Sequence, residues 1–513
     1  MPRPYALRSA ALVLICLPRL AAAQAPARTD PALVRAAASI TATDVARRVG
    51  IIAHDSMLGR DTPSRGLDLT AQYVADEFKR LGLKPGGEGG TWFQRYAITK
   101  VALDVTKAHV GFMGAGAPLH VEFARDARLV FGALPEQPYS GDAVLVAGVS
   151  TADQIKKSDV SGRIVLLVLD YATAPGMQAF SRVVPALLAA DVKGVVMVSN
   201  RAEVMFEQLG KSQLRPRTVV GAASGGAVVE IRDSVLAAWL QARGTAIAEA
   251  RTATTPMVKP LAGSTVMFGL ARTVVESSSA PNTVGILEGT DPTLKREYLV
   301  YSAHMDHIGI RPGQADSIAN GADDDASGTV GVVEIAEAFM TKGARPRRSV
   351  VFLTVSGEEK GLWGSEYYAE HPTVPLPQIV ANINIDMIGR NWKDSIVAIG
   401  KEHSDLGATL ARVNGQHPEL RMTAIDDVWP QERFYFRSDH YNFARKGVPI
   451  LFFFNGVHDD YHKVSDSPDK IDAEKEARIL KLLFYLGADV ANTPARPVWN
   501  PESYKQIVDG PGR

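Results

Sequence analysis

Between residues 283 and 495 the chain alternates short, almost wholly apolar runs (298–303, 349–355, 379–385, 396–399, 449–454) with helix-length stretches (326–341, 363–370, 405–413, 473–490). Runs such as Val350-Val351-Phe352-Leu353 and Ile450-Leu451-Phe452-Phe453-Phe454 have no polar face to give to water. Strands of that kind must be covered on both sides, which is the condition of a parallel-rich sheet between two layers of helix. The predicted fold class is therefore α/β, a mostly parallel mixed sheet with helices on both faces.

Chemistry collects where those strands end. In open α/β sheets, loops at the carboxyl ends of strands present side chains around a crevice. His304, Asp306 and His307 close the first run in SAHMDH, and Glu358-Glu359 follow 349–355. Asp386 closes the apolar NINID, and His462 lies in DDYHKVSD beyond 449–454. The fifth cluster is NGADDDASG, 320–328, directly before a helix. Taken singly, each has an ordinary explanation: a satisfied histidine, a solvated Glu pair, a loop histidine. Three adjacent acids in a buried loop are harder to explain, because capping by Asp325 or Ser327 accounts for one of them and the rest repel. A carboxylate at the end of an apolar strand is equally costly without compensation.

Together these clusters set His304, Asp324, Glu359, Asp386 and His462 at strand ends of one domain. Three carboxylates and a bound hydroxide carry four negative charges, which two divalent cations balance. Imidazole and carboxylate ligation without thiolate suits zinc best, with cobalt or manganese as alternatives. Of the neighbouring Glu358 and Glu359, one carboxylate can bind metal while the other faces a metal-bound water as general base, and Asp306 is placed to orient His304 from behind. The single cysteine, Cys16, excludes a disulfide framework and a thiolate zinc site. With 56 basic and 56 acidic side chains there is no global field for a nucleic-acid backbone.

The remaining chain divides by composition. Residues 1–23 read as a signal peptide, with Arg3 and Arg8, an apolar stretch too short to span a bilayer, and Ala21-Ala22-Ala23 before Gln24. The mature protein is thus expected to be exported, periplasmic or secreted, without stable membrane insertion. Residues 31–130, with a helix over 67–81, are assigned to the catalytic domain, 283–495 to its main part and 496–513 to a C-terminal tail. Residues 135–260 alternate strands with helix and carry no chemical constellation, suggesting an inserted small α/β or open β-barrel unit. Gly/Pro-rich stretches around 85–90, 132–141 and 254–264 are read as turns or crossings between units.

SAHMDHIG, NGADDDASG, VSGEEKGLWGS, NINIDMIGR, FRSDHYNFARKGVP and YHKVSD, in that order, resemble the family-28 metallopeptidases, secreted dinuclear zinc aminopeptidases and their carboxypeptidase relatives. The resemblance implies that His304 and Asp386 hold one of two zinc ions, Glu359 and His462 the other, and Asp324 bridges them. It makes Glu358 the general base and acid, and Asp306 the partner of His304. It offers Tyr435 as a stabiliser of the oxyanion, and 135–260 as a protease-associated domain. Peptides would be the substrates, cut from the N-terminus; a carboxypeptidase or dipeptidase remains the alternative. A non-catalytic, receptor-like binding protein is a remote alternative, because all five ligands and Glu358 are present.

Overall fold

The computed structural model describes residues 30–510 except 115, 124, 133, 136, 212–214, 222–225 and 314. The expected signal peptide, with Cys16, lies outside the described residues.

Four strands lie side by side and parallel at the centre of a ten-stranded mixed sheet: Ile450–Phe454, Ile379–Ile385, Tyr298–His304 and Ser349–Val355. Every residue of Ser349–Val355, Ile379–Ile385 and Ile450–Phe454 is buried, as two-sided covering requires. Antiparallel strands extend the sheet on both sides. Arg272–Leu287 pairs with Ser349–Val355 and is followed by Phe93–Leu103, while Ser395–Ile399 pairs with Ile450–Phe454.

Helices Ala42–Ile52, Arg65–Leu81, Gly328–Met340 and Ala473–Asn492 pack Val49, Phe78, Phe339 and Leu483 against one face. On the other, Trp363–Glu370 and His440–Ala444 bring Tyr368 and Phe443 onto Val351 and Leu353. Local signals set the helix ends. Ser64 accepts from the Leu67 N–H at the start of Arg65–Leu81, and Gly82 closes that helix at φ 82°, a conformation that favours glycine.

A second sheet of eight strands has its own parallel centre, Tyr139–Ala147, Ile164–Val168, Gly194–Ser199 and Ala227–Arg232. Three strands expected to belong to the first domain, His109–Met113, Leu119–Glu122 and Ala127–Phe131, lie here instead. The reason is their apolar face: Val110, Phe112, Val121 and Leu129 pack with Leu145, Val196 and Phe268 of this sheet. The expected boundary at 130 therefore moves back to the end of Phe93–Leu103.

The Gly/Pro-rich stretch at 254–264 is likewise not a crossing. It falls largely inside the strand Met257–Gly269, whose pairing with Tyr139–Ala147 shifts register between Pro260 and Thr265. The two units are joined by Phe93–Leu103 and Arg272–Leu287, which pair with each other, and Arg217–Val220 from the intervening segment adds to the outer edge of Phe93–Leu103. Within 496–513 the chain forms the helix Pro501–Ile507, and Trp499 Nε1 donates to the Gly447 carbonyl at 2.9 Å. Among the described residues no helix is long and apolar enough to cross a membrane.

One ion-pair cluster locks the helical layer. Arg48, 1 % exposed, contacts Glu77 at 2.9 Å and also pairs with Glu334 and Glu337, tying three helices together. Removing one member of a buried pair leaves the other charge uncompensated. Arg48→Met is expected to lower unfolding stability by about 3–5 kcal/mol in urea denaturation, and Arg48→Met with Glu334→Leu to recover most of it; an unchanged midpoint in the single variant would contradict this.

Candidate metal centre

The parallel centre of the first sheet brings its strand ends onto one rim. His304 is the last residue of Tyr298–His304, Asp386 directly follows Ile379–Ile385, and Glu358-Glu359 follow Ser349–Val355 after a two-residue turn. His462 comes from the loop beyond Ile450–Phe454, and Asp324 from the one-turn segment Ala322–Ser327 that opens Gly328–Met340.

These residues meet. His304 Nε2 lies 3.3 Å from Asp324 Oδ1 and 3.7 Å from Asp386 Oδ1. His462 Nε2 lies 3.2 Å from Asp324 Oδ2 and 3.0 Å from Glu359 Oε2. Asp324 thus presents one oxygen to each set. The atoms of His304, Asp324 and Asp386 fall within 4.8 Å of one another, the spacing of donors around a single ion.

The three adjacent acids divide their work. Asp325 is structural: its Oδ1 accepts from the backbone N–H of Gly328 and Met387, and its Oδ2 from that of His304. Asp323 Oδ1 accepts from Gly389 N–H at 2.6 Å, and its Oδ2 faces His458 Nε2 at 3.2 Å. Asp324 alone points into the centre, held by its backbone N–H on Asp466 Oδ2 at 3.1 Å. The peptide bond between Asp324 and Asp325 is cis.

Behind the ligands lies a second layer of polar contacts. His304 Nδ1 is 3.2 Å from the Asp306 carbonyl and 3.7 Å from Asp306 Oδ1. The same carboxylate accepts from the Glu358 N–H at 3.3 Å and from Thr62 Oγ1 at 3.0 Å, and Thr62 Oγ1 in turn accepts from Gly357 N–H. Asp306 therefore links the histidine strand to the Glu358-Glu359 turn. Ser438 Oγ donates to Asp386 Oδ2 at 2.8 Å. Arg60, fully buried, donates to the carbonyls of Met305, Ile52, Asn320, Gly321 and Asp324, so one guanidinium ties together the loops on either side of His304 and Asp324.

Electrostatics follow from this crowding. Burial pushes the Glu358 carboxyl well above its ordinary range, reinforced by Asp439, Asp386 and Glu359 against the pull of His304. Burial also raises Asp386, and it lifts Asp439 to about 7. Burial works against the Asp324 charge too, but the surrounding imidazoles of His307, His304 and His462 hold its pKa well below normal. Burial opposes protonation of His462, yet Asp324 and Glu359 hold its pKa up at about 9. Ligation requires neutral imidazoles, so metal entry here displaces protons. The donor set fits a metal: Asp324 Oδ2 and Glu359 Oε1 are buried and have no hydrogen-bond partner, and the cations at ion-pair distance from them are imidazoles.

With that geometry in hand, residues 282–487 match the sequence profile of Peptidase family M28. This segment is a peptidase family M28 domain. A probable zinc metalloprotease of Pyricularia oryzae is 27% identical over 270 residues, 44% of this chain and 53% of that protein. A probable leucine aminopeptidase of Arthroderma otae is 27% identical over 209 residues, 39% of this chain and 56% of that one. The chain spans about half the length of these curated relatives. Among solved structures, the aminopeptidase from Aneurinibacillus sp. strain AM-1 aligns over 91% of this chain and 98% of its own, at 17% identity and a TM-score of 0.46.

Within the M28 domain Tyr435 does not take the place expected for it. Its ring edges onto His403 and His440, and its buried hydroxyl, without a hydrogen-bond partner, is influenced by Glu402 and Tyr441 rather than by the metal-site carboxylates. Phe434-Tyr435-Phe436 forms a tight turn whose Phe434 and Tyr435 are buried in the core cluster with Phe452 and Phe454. The tyrosine at the centre is Tyr461, stacked on His462 at 3.9 Å and lining a pocket with His304, Asp324, Glu358 and Asp386. Burial, then Asp324, Glu359, Asp386 and Glu358, raise its pKa. Its adjacency to His462 was the available signal. His307, inside SAHMDH, is also buried at the centre. Arg60 and Thr62, far off in sequence, gave none.

Asp306→Asn should weaken zinc binding about 10–100-fold, the usual cost of losing such a supporting group, measured by chelator competition on the full chain. Unchanged affinity would remove Asp306 from that role.

Proposed function

We propose that this chain is an exported, dinuclear zinc exopeptidase that removes N-terminal residues from peptides. The observation that carries the reading is the shared carboxylate: Asp324 offers separate oxygens to His304 with Asp386 and to His462 with Glu359, while Glu358 lines the same pocket without joining either set. Two zinc ions bound there would supply Lewis acidity, acidifying the attacking water and polarising the scissile carbonyl.

The remaining steps belong to the chain. Glu358 accepts a proton from the attacking water and returns it to the leaving amine. Burial and the neighbouring carboxylates raise its affinity for protons, and bound cations would offset the carboxylate charge and leave it able to act as base. Tyr461, which lines the pocket and stacks on His462, is the residue whose hydroxyl would stabilise the oxyanion as charge develops. Met387, Phe434, Phe452, Phe454 and Val457 line the same pocket beside Arg437 and Ser438. The leader over 1–23 supports export, and the second sheet is read as a protease-associated module.

An aminopeptidase is favoured by the name of the Arthroderma otae relative. One observation supports a carboxypeptidase or dipeptidase instead: Arg437 lines the same pocket, where a guanidinium suits a free carboxylate. Its present partner, Glu432 at 3.2 Å, occupies it.

Two measurements test these assignments. Glu358→Gln should keep its zinc yet lose about 10²–10⁴-fold in kcat, and Tyr461→Phe about 10²–10³-fold, with Tyr435→Phe near wild type; normal turnover in Glu358→Gln would sink the mechanism. Free-amine chromogenic amides should be cleaved and their N-acetyl forms spared, with activity lost to chelator and restored by zinc. Cleavage confined to substrates with a free carboxylate would transfer the reading to the carboxypeptidase.

A further inference from the structure

His307 is fully buried at the edge of the centre and no step above uses it. Its orientation is imposed by the fold. Its backbone N–H donates to the Arg60 carbonyl at 3.2 Å, and its ring lies so close over Gly321 that a β-carbon there would come within 2.5 Å of it. So placed, Nδ1 lies 2.8 Å from Glu359 Oε1 and 3.6 Å from Asp324 Oδ2.

These contacts are not hydrogen bonds. Neither ring nitrogen of His307, nor Asp324 Oδ2, nor Glu359 Oε1 has a hydrogen-bond partner, although all are buried. A histidine whose task was to orient Glu359 would aim an N–H along the line to Oε1, and at 2.8 Å that direction is not met. Three buried, unpartnered donor atoms from His307, Asp324 and Glu359 lie within 4.8 Å of one another, and the His462 ring meets the His307 ring edge-on at 5.8 Å. Donors about 2.0–2.2 Å from one zinc ion stand at most about 4.4 Å apart, and the His307 Nδ1 distances of 2.8 Å and 3.6 Å fall inside that limit.

We propose that His307 Nδ1 is a fourth protein ligand of the metal position formed by Glu359, His462 and the shared Asp324. The inference rests on the two-metal reading above and deepens it. The two positions then differ in chemistry: one has two imidazoles and two carboxylates, the other His304 with Asp324 and Asp386. Imidazole favours zinc over oxygen-seeking cations such as magnesium or manganese. The nitrogen-rich position is therefore the tighter zinc site.

Apo full-length protein titrated with zinc against a competing chelator tests this, with X-ray absorption at the zinc edge as a readout independent of any variant. Wild type is expected to bind two equivalents, and the loaded protein to show three imidazoles shared between the two ions. In His307→Ser and His307→Gln the tighter equivalent should weaken by about 10-fold or more while the other keeps its affinity. Two imidazoles shared between two ions, or unchanged affinities in folded His307 variants, would overturn the role of His307 and leave the two-metal reading standing. A wild-type protein that takes up no zinc would overturn both.

Discussion

Carboxylates crowded into a buried rim repel one another, and most of this structure can be understood as the means of holding them there. Asp324, Glu358 and Asp386 line one pocket, Glu359 lies beside Asp324, and Asp306, Asp325 and Asp439 are buried close by. Lowered water access makes every such repulsion larger. The protein answers with fixed donors rather than with mobile cationic side chains. Asp325 takes three backbone N–H groups, Asp306 a threonine hydroxyl and an N–H, and Asp386 a serine hydroxyl. Among the oxygens left without such partners, Asp324 Oδ2 and Glu359 Oε1 face histidines.

The sheet makes this convergence possible. Four parallel neighbours place successive carboxyl ends side by side, so residues from 304 to 462 meet without long excursions. Arg60 completes the frame from a distant part of the chain by holding carbonyls on both sides of His304 and Asp324. That is a concrete reason for the N-terminal helices to pack on this sheet: they deliver Arg60 and Thr62 to the back of the site.

Residues that act through their own chemistry at strand ends were legible in the sequence, because an acid or histidine closing an apolar run has few cheap explanations. His304, Asp324, Glu359, Asp386 and His462 stood out in this way, and the structure brings them within contact of one another. Residues whose role depends on three-dimensional placement were not. Arg60 looks like any surface arginine until its burial is known, and Tyr435 and Tyr461 differ only in which way their loops turn. The division between the two sheets was misplaced for a related reason. Strands at 109–131 have alternation that either sheet could bury, and only their partners, Leu145 and Phe268 among them, decide it.

The central claim is that Asp324 sits between two metal ions. Anomalous diffraction on crystals of the zinc-loaded full chain, collected above and below the zinc absorption edge, addresses it directly. The account predicts two peaks, one among His304, Asp324 and Asp386 and the other among Asp324, Glu359 and His462. A single peak, or peaks away from Asp324, would contradict it.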